Sequence, residues 1–301
     1  MLQIKTDVSP VYELLTSLFV FTVKNNYHDL GKTWVNEIKS GMDNEDFLTK
    51  MQQSDPLPFV DYMTMLIYKS PEKQDIPAFL QWLKGLSAGD IYELLSPYLS
   101  AGLPGELGEF RDYYAEVLRY WHQKYPISEH ILDKLAEKAA GVESSVGSMD
   151  SVELIEQITN GIKIVPDKVT KQVIMIPSYH ITPMNFVSPL NEILMITFPV
   201  EIPGENKEIP PMRLSRLTRA LGDDKRLQIL RILASKPYNL TELSRELQIS
   251  KSNLHYHLTL LRTAGLVRGI KDLSNKHDRY EVRPDMFGQL KELLEEYVLG
   301  S

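Results

Sequence analysis

A run of hydrogen-bonding side chains in the C-terminal third of the sequence offers the clearest candidate chemistry. These residues open a predicted helix, and they are Lys251, Ser252, Asn253, His255, Tyr256 and His257. The carboxamide of Asn253 matches the paired donor and acceptor of adenine, and Lys251 can reach guanine or a phosphate. The opposite helix face carries leucines at intervals of four and three residues: Leu254, Leu258 and Leu261. We therefore predict that the polar first turns enter the major groove of DNA while the leucines anchor the helix.

A second polar and basic group follows on a predicted β-hairpin. After Gly265, which ends the helix, residues 266–271 and 278–282 alternate roughly between apolar and polar types around a polar tip. A hairpin directly after such a helix is a wing, and its cations suit a DNA backbone or a narrow minor groove. The candidate DNA-contacting residues of this hairpin are Arg268, Lys271, Asn275, Lys276, His277 and Arg279.

The residues before this helix and hairpin predict the scaffold that positions them. A short amphipathic helix ending at Leu221 is followed by Gly222-Asp223-Asp224, which caps an apolar helix. Thr241 is the predicted N-cap of a further short helix. The tight turn 248–250 then leads to the polar helix, with Ser250 as its N-cap. Two short helices joined by a three-residue turn form a helix-turn-helix.

Charge is unevenly distributed along the chain. Residues 211–301 carry 16 Lys and Arg against 11 Asp and Glu, whereas the first 210 residues carry 17 against 29. A basic segment joined to an acidic one is typical of proteins in which only one domain meets phosphate. A solvated basic surface without a partner would have the same composition, so charge alone leaves both interpretations open.

The first 200 residues have a mainly helical pattern. Ser9-Pro10 begins one predicted helix, and a longer one spans 107–125. Ser128 caps a helix through Ala140, residues 141–148 read as a loop, and 150–160 form a further helix ending at Gly161. Short apolar runs at 172–176 and 193–198 predict strands, separated by a proline-rich loop.

These patterns predict a mainly α (α+β) protein of two domains. Residues 1–202 form a helical regulatory or dimerisation domain with short strands near 172–198. Proline at both ends and charge between them make 203–212 a linker, and residues 213–301 form a winged helix-turn-helix.

The N-terminal domain contains large side chains that would suit either a core or an apolar pocket for a small-molecule effector. They are Tyr113, Tyr114, Trp121, Met175, Tyr179, His180, Met184 and Met195. Because large apolar residues usually lie inside proteins, we expect most of them to be core. An effector for this domain therefore stays open at the level of sequence.

Three stretches of the C-terminal region resemble ArsR-type winged helix-turn-helix transcriptional regulators. They run from Ala220 to Leu230, from Leu243 to Leu258 and from Leu260 to Val267. The resemblance covers roughly 213–283, under a third of the chain. It implies a homodimer that binds an inverted-repeat operator in double-stranded DNA, usually as a repressor.

The sequence departs from the metal-sensing members of that family. It has no cysteine, and the C-terminal helix, residues 285–299, has no histidine. His255 and His257 are two positions apart on a helix and point in different directions, so they do not chelate one ion. We therefore expect no metal and no cofactor.

We expect a transcription regulator rather than an enzyme. The sequence contains no G-x-S-x-G, Walker A, G-x-G-x-x-G or H-E-x-x-H pattern. Two alternatives stay open: a winged helix used only for protein contacts, and a cryptic enzyme activity in the N-terminal domain.

Nothing near the start of the sequence reads as a membrane or secretion segment. The most apolar early stretch, residues 14–23, is shorter than the roughly 20 residues that span a bilayer. The chain also lacks a secretory signal pattern, and the absence of cysteine fits a reducing compartment. We therefore expect a cytoplasmic protein without a membrane partner.

Overall fold

The computed structural model describes most of the chain and divides it into two compact units. The described residues are 2–23, 28–42, 47, 57, 60–99, 105–204, 206, 208–274 and 278–300. Unit 1 comprises Met1–Ser144 and Val169–Ile202, and unit 2 comprises Ser145–Lys168 and Pro203–Ser301. Residues 145–168 therefore leave the predicted N-terminal domain of 1–202. The reason is that a strand in this stretch pairs with the C-terminal hairpin.

Unit 1 is built mainly of helices. They are α1 (Pro10–Thr22), α2 (Gly31–Ser40), α3 (Val60–Lys69), α4 (Ile76–Gly85), α5 (Ala88–Leu95), α6 (Leu107–Lys124) and α7 (Glu129–Ser145). The hydroxyl of Ser9 accepts a hydrogen bond from the backbone N–H of Val11 at 3.0 Å, which confirms the predicted start of α1. The long helix expected over 107–125 is α6.

Helix α7 extends beyond its predicted end at Ala140. Leu135, Ala139 and Val142 are all buried, so the apolar stripe continues past Gly141 at intervals of four and three residues. This burial offsets the low helix propensity of glycine. The first half of the predicted loop 141–148 is therefore helical.

A four-stranded sheet completes unit 1. Its strands are β1 (Gln3–Thr6), β3 (Gln172–Ser178), β4 (Phe186–Leu190) and β5 (Ile193–Pro199), in the order β1-β3-β5-β4. The first three in this order run parallel, and β4 is antiparallel to β5. Strand β4 lies in a region that the sequence predicts to be a loop, and the reason for that prediction is its prolines, which include Pro189. At an edge strand proline is tolerated, since one side of the backbone makes no ladder hydrogen bonds.

The large side chains proposed as either core or pocket in unit 1 are mostly core. Tyr114, Trp121, Met175, His180 and Met195 are all at most 1 % exposed. The three remaining candidates are half-buried.

Unit 2 contains the predicted helix-turn-helix and wing. Its helices are α8 (Ser151–Ile158), α9 (Met212–Leu221), α10 (Asp224–Leu233), α11 (Leu240–Leu247), α12 (Lys251–Thr263) and α13 (Asp285–Leu299). Its strands are β2 (Ile162–Val165), β6 (Tyr238–Asn239), β7 (Val267–Asp272) and β8 (Arg279–Val282), in the order β2-β7-β8-β6. The fold class is thus mainly α (α+β), with a winged helix-turn-helix in the C-terminal region, as predicted.

Among the described residues, no helix combines the length and the apolar character that crossing a lipid bilayer requires.

Candidate DNA interface

Helix α12 is anchored by the leucine face that the sequence predicts. Leu254, Leu258 and Leu261 are at most 2 % exposed. They belong to one apolar cluster with Ile229 of α10 and Leu243 of α11. Burial of three leucines fixes the rotation of α12 about its axis, because each contributes roughly 1.5–3 kcal/mol when buried.

The start of α12 is set by a side-chain cap. The hydroxyl of Ser250 accepts a hydrogen bond from the backbone N–H of Asn253 at 3.2 Å, which confirms the predicted N-cap. Before it, Gln248 adopts a left-handed conformation with φ +54° and turns the chain between α11 and α12. The helix ends at Thr263, and Gly265 follows at φ +78° as the predicted C-terminal glycine.

The start of α11 differs from its prediction. The N-cap is Asn239 rather than Thr241. The side chain of Asn239 accepts from the backbone N–H of Glu242 at 2.9 Å, and the Glu242 carboxylate accepts from the Asn239 N–H at 2.9 Å. This reciprocal capping box satisfies two N–H groups at once, whereas Thr241 satisfies at most one.

The polar side chains at the start of α12 face solvent. Those that are exposed are Lys251, Ser252, Asn253, His255 and Tyr256. They occupy the first two turns of the helix, and Tyr256 is 49 % exposed. Donors, acceptors and one cation are therefore presented together, which is the composition that contacts base edges and phosphates.

His257 lies apart from this exposed group, because it also faces the scaffold. Its Nδ1 is 3.9 Å from Oδ1 of Asp223, and its side chain is 16 % exposed. Asp223 caps α10 by accepting from the backbone N–H of Arg226 at 3.0 Å, and this hydrogen bond holds the pKa of Asp223 below its usual range. His257 thus lies at the border between the exposed polar face and the leucine face.

Two predicted wing cations lie within reach of carboxylates. Lys271 on β7 forms an ion pair with Asp278 across the hairpin. Arg279 on β8 is half exposed, and its Nη2 is 3.8 Å from Oε2 of Glu242. Asn275, Lys276 and His277, at the predicted tip, lie outside the described residues.

Arg268 has a different environment from the one predicted. Its side chain is only 19 % exposed, and its Nε is 3.3 Å from Oε1 of Glu156 and 3.7 Å from Oε2 of Glu281. Its Nη1 donates to Oε2 of Glu156 at 3.4 Å. A mostly buried guanidinium held by two carboxylates is poorly placed for phosphate, which argues against the predicted DNA contact of Arg268.

No pattern in the sequence indicates which residues hold Arg268. Glu156 lies on α8, 112 positions earlier in the chain. The same carboxylate is 3.7 Å from Nε of Arg283, whose Nη1 donates to Oδ1 of Asn160 at 2.8 Å. The pairing of β2 with β7 brings these residues together.

Unit 1 holds a buried polar group that no pattern in the sequence predicts. Oε1 of Glu13 pairs with Nδ1 of His180 and accepts from the backbone N–H groups of Tyr179 and His180 at 3.1 and 3.0 Å. Nε2 of His180 lies 2.8 Å from the hydroxyl of Tyr125. Burial by itself raises the pKa of Glu13, but the imidazole of His180 and the hydrogen bonds outweigh it and lower that pKa below its usual value.

Within the part of the chain that the structure describes, no three histidine, aspartate or glutamate side chains come together as a group that could hold a metal ion.

A helix-turn-helix with an exposed polar second helix and a following hairpin defines the class of winged helix-turn-helix DNA-binding domains. Residues 223–268 match the family of bacterial regulatory proteins of the ArsR type. Over these residues the chain carries a helix-turn-helix domain of the ArsR type.

Individual relatives match the same region. The transcriptional activator HlyU of Vibrio cholerae serotype O1 is 41 % identical over 56 residues, which are 19 % of this chain and 52 % of that protein. The chain therefore covers about half the length of this curated relative.

Two solved structures are also similar to part of this chain. Reduced HlyU from Vibrio cholerae N16961 has 30 % identity and a TM-score of 0.23, over 29 % of this chain and 90 % of that one. NolR from Sinorhizobium fredii has 25 % identity and a TM-score of 0.24, over 29 % and 85 % respectively.

Proposed function

We propose that the whole protein is a sequence-specific transcription regulator that reads duplex DNA with α12. The observation that carries this proposal is the exposed polar face of its first two turns, opposite a fully buried leucine face. Asn253 is the candidate for reading adenine, and Lys251 for guanine or phosphate. A winged helix used only for protein contacts has no need of such a face, which favours DNA over the protein-contact alternative.

The wing supplies the second contact in this proposal. Lys271 and Arg279 lie on its two strands, and Lys276 and His277 belong to its tip in the sequence. Each carboxylate partner of Lys271 and Arg279 is itself partly exposed, so phosphate can compete for these cations. We expect these residues to contact the backbone or minor groove beside each half-site.

We further propose that the protein acts as a dimer on an inverted repeat. Helix α13 exposes several apolar side chains: Phe287, Leu294, Val298 and Leu299. Val298 and Leu299 are 67 % and 72 % exposed, and Met212 on α9 adds a further exposed apolar residue of unit 2. A second copy of this chain would cover them, since exposed apolar patches often mark contact sites. Two-fold symmetry then sets half-sites about 34–36 Å apart, or a multiple of that.

We propose repression as the direction of regulation. It is what the ArsR-type resemblance implies, although one relative, HlyU, is named a transcriptional activator. A reporter gene placed behind the selected site distinguishes the two, because repression lowers and activation raises its output when the protein is expressed.

Unit 1 is the proposed place for a small-molecule effector. A groove of about 780 Å³ runs along α4 and α6, and its walls include Leu80, Lys84, Ala115, Arg119 and His122. This volume falls within the range of small-molecule sites. A thermal-shift screen of metabolites on the full chain tests the idea. The variant Ala115→Trp fills the groove. If a ligand stabilises this variant as much as it stabilises the unchanged protein, that ligand binds elsewhere.

The DNA proposal is tested by selection from a random duplex library with the purified full-length protein, followed by binding of the best site at two salt concentrations. We expect a palindromic site and an affinity that falls steeply with salt, because bound cations release counterions from phosphate. Failure to enrich any site, with no salt-sensitive binding to any duplex, would favour the protein-contact alternative.

A further inference from the structure

The hairpin of the wing is braced by a segment from far upstream in the chain. We call helix α8 and strand β2, residues 151–165, the wing brace. Strand β2 pairs in parallel with β7, from Ile162 opposite Gly269 to Val165 opposite Asp272. Since β7 also pairs with β8, the central strand of the wing has a hydrogen-bonded neighbour on both edges.

The β2 part of the brace is held to the wing by backbone hydrogen bonds at both of its ends. The N–H of Gly269 donates to the carbonyl of Gly161 at 2.8 Å, and the N–H of Leu273 donates to the carbonyl of Val165 at 3.2 Å. Ile162 and Ile164, which alternate with the outward residues of β2, are at most 2 % exposed. Displacing the wing would therefore expose buried apolar surface and break ladder hydrogen bonds at the same time.

Glu156 joins the brace to Arg268 on the wing strand β7 and to Arg283, the residue that follows β8. Its Oε1 is 3.3 Å from Nε of Arg268 and 3.7 Å from Nε of Arg283. Burial lowers the pKa of Arg283, a shift that the carboxylates of Asp285 and Glu156 oppose and the charge of Arg268 reinforces. Without the Glu156 carboxylate, the two guanidinium groups would lose the carboxylate that they share in a mostly buried site.

Asn160 forms the corner between α8 and β2. It has a left-handed backbone with φ +53°, and its Oδ1 accepts from Nη1 of Arg283 at 2.8 Å. The same side chain packs on Gly265 at the end of α12, where an added Cβ would lie 2.5 Å from Oδ1 of Asn160. The brace thus touches both the wing and the end of the proposed recognition helix.

We propose that the wing brace sets the position of the wing on DNA, and that Glu156 is its principal positioning residue. This inference rests on the proposed DNA binding. Both ends of the brace continue into residues of unit 1, at Ser144 and Val169. The brace is therefore a covalent route by which a change in unit 1 reaches the wing without passing through α12.

The experiment compares full-length Glu156→Gln with Glu153→Gln, an equal charge change at an exposed position one turn earlier on α8. Hydroxyl-radical footprints on the selected site separate wing contacts, beside each half-site, from α12 contacts within it. We expect Glu156→Gln to lose the flanking protection and keep the central one. Affinity should fall roughly tenfold, as for one or two lost phosphate contacts, and the salt slope should fall by about one per lost cation.

A second variant keeps the inference testable if Glu156→Gln fails to fold. Asn160→Gly retains the left-handed backbone and removes only the side chain that holds Arg283. It should weaken the flanking protection in the same direction. If every folded brace variant shows the same flanking protection as the unchanged protein, the proposed role of the brace is overturned and the proposed DNA binding is not. A complete absence of DNA binding by the unchanged protein overturns the proposed function and the brace together.

Discussion

Nδ1 of His180 faces Oε1 of Glu13 in a contact where neither side chain has any solvent exposure. The carboxylate lies on α1 and the imidazole follows β3, so the pair joins a helix to the sheet of unit 1. The backbone N–H groups of Tyr179 and His180 and the hydroxyl of Thr16 also donate to the carboxylate. A buried charge with this many partners is costly to disturb, because removing one partner leaves the other uncompensated.

Replacing Glu13 with glutamine should destabilise unit 1 by about 1–3 kcal/mol, the usual cost of leaving a buried hydrogen-bonding group without its partner. The three tryptophans of the chain, Trp34, Trp82 and Trp121, all lie in unit 1, so their fluorescence in urea reports on that unit alone. Glu93→Gln, at an exposed position on α5, is the matched control and should change the free energy of unfolding by less than about 0.5 kcal/mol. Equal effects of the two substitutions would contradict a structural role for the pair.

The stability of unit 1 should also depend on pH through Glu13. Its pKa in the folded protein is lowered, so the unfolded chain binds more protons in the interval between that value and the ordinary value of about 4.3. The stabilisation is therefore fully present above the ordinary pKa and is lost as the pH falls through the folded pKa. Urea titrations followed by tryptophan fluorescence from pH 7 to pH 3 should show this loss, and Glu13→Gln should show a shallower decline.

The local elements of unit 2 could be predicted because their signals lie within a few residues of each other. Ser250 caps α12, Gly265 ends it, and the leucines face the core, all as expected. The environment of Arg268 could not be predicted, because its partner Glu156 lies 112 positions away. The four-residue strand β2 is too short for alternating apolar and polar residues to predict it, and its partner strand comes about 100 residues later. Long-range pairing of this kind is set by tertiary packing, which single-sequence patterns do not contain.

Asn253→Ala should relax the sequence preference of DNA binding. A lost bidentate contact to adenine reduces discrimination at one base pair by about 1–3 kcal/mol, while the preference at other positions is kept. Repeating the library selection with the variant measures this directly. Ser252→Ala, at the neighbouring exposed position, shows how far the loss of a polar group on this face alters preference in general. An unchanged preference in Asn253→Ala would place the base contacts elsewhere on α12.

Arg279→Ala should weaken binding to all duplexes alike. The side chain lies on the wing strand β8 and is 52 % exposed, which suits a phosphate contact rather than base reading. The slope of log affinity against log salt should fall by about one, with the selected sequence unchanged. Because Arg279 also lies 3.8 Å from Glu242, Glu242→Gln separates the two roles. Freeing the arginine from its carboxylate should strengthen binding slightly if phosphate competes for it.

Val298→Glu should break the proposed dimer and leave the fold intact. Val298 is 67 % exposed near the end of α13, so a charge there costs little in a monomer but is buried without a partner when a second copy covers the helix. Sedimentation velocity over a range of concentrations should show a dimer for the unchanged protein and a monomer for the variant. Glu292→Gln, exposed on the same helix, should remain dimeric.

The loss of the dimer should also change DNA binding. Because each subunit of Val298→Glu then binds its half-site alone, this variant should lose most of its affinity for the inverted repeat and retain its weaker affinity for a single half-site. A monomeric unchanged protein would refute the α13 interface, and a dimeric Val298→Glu would move the contact to another surface.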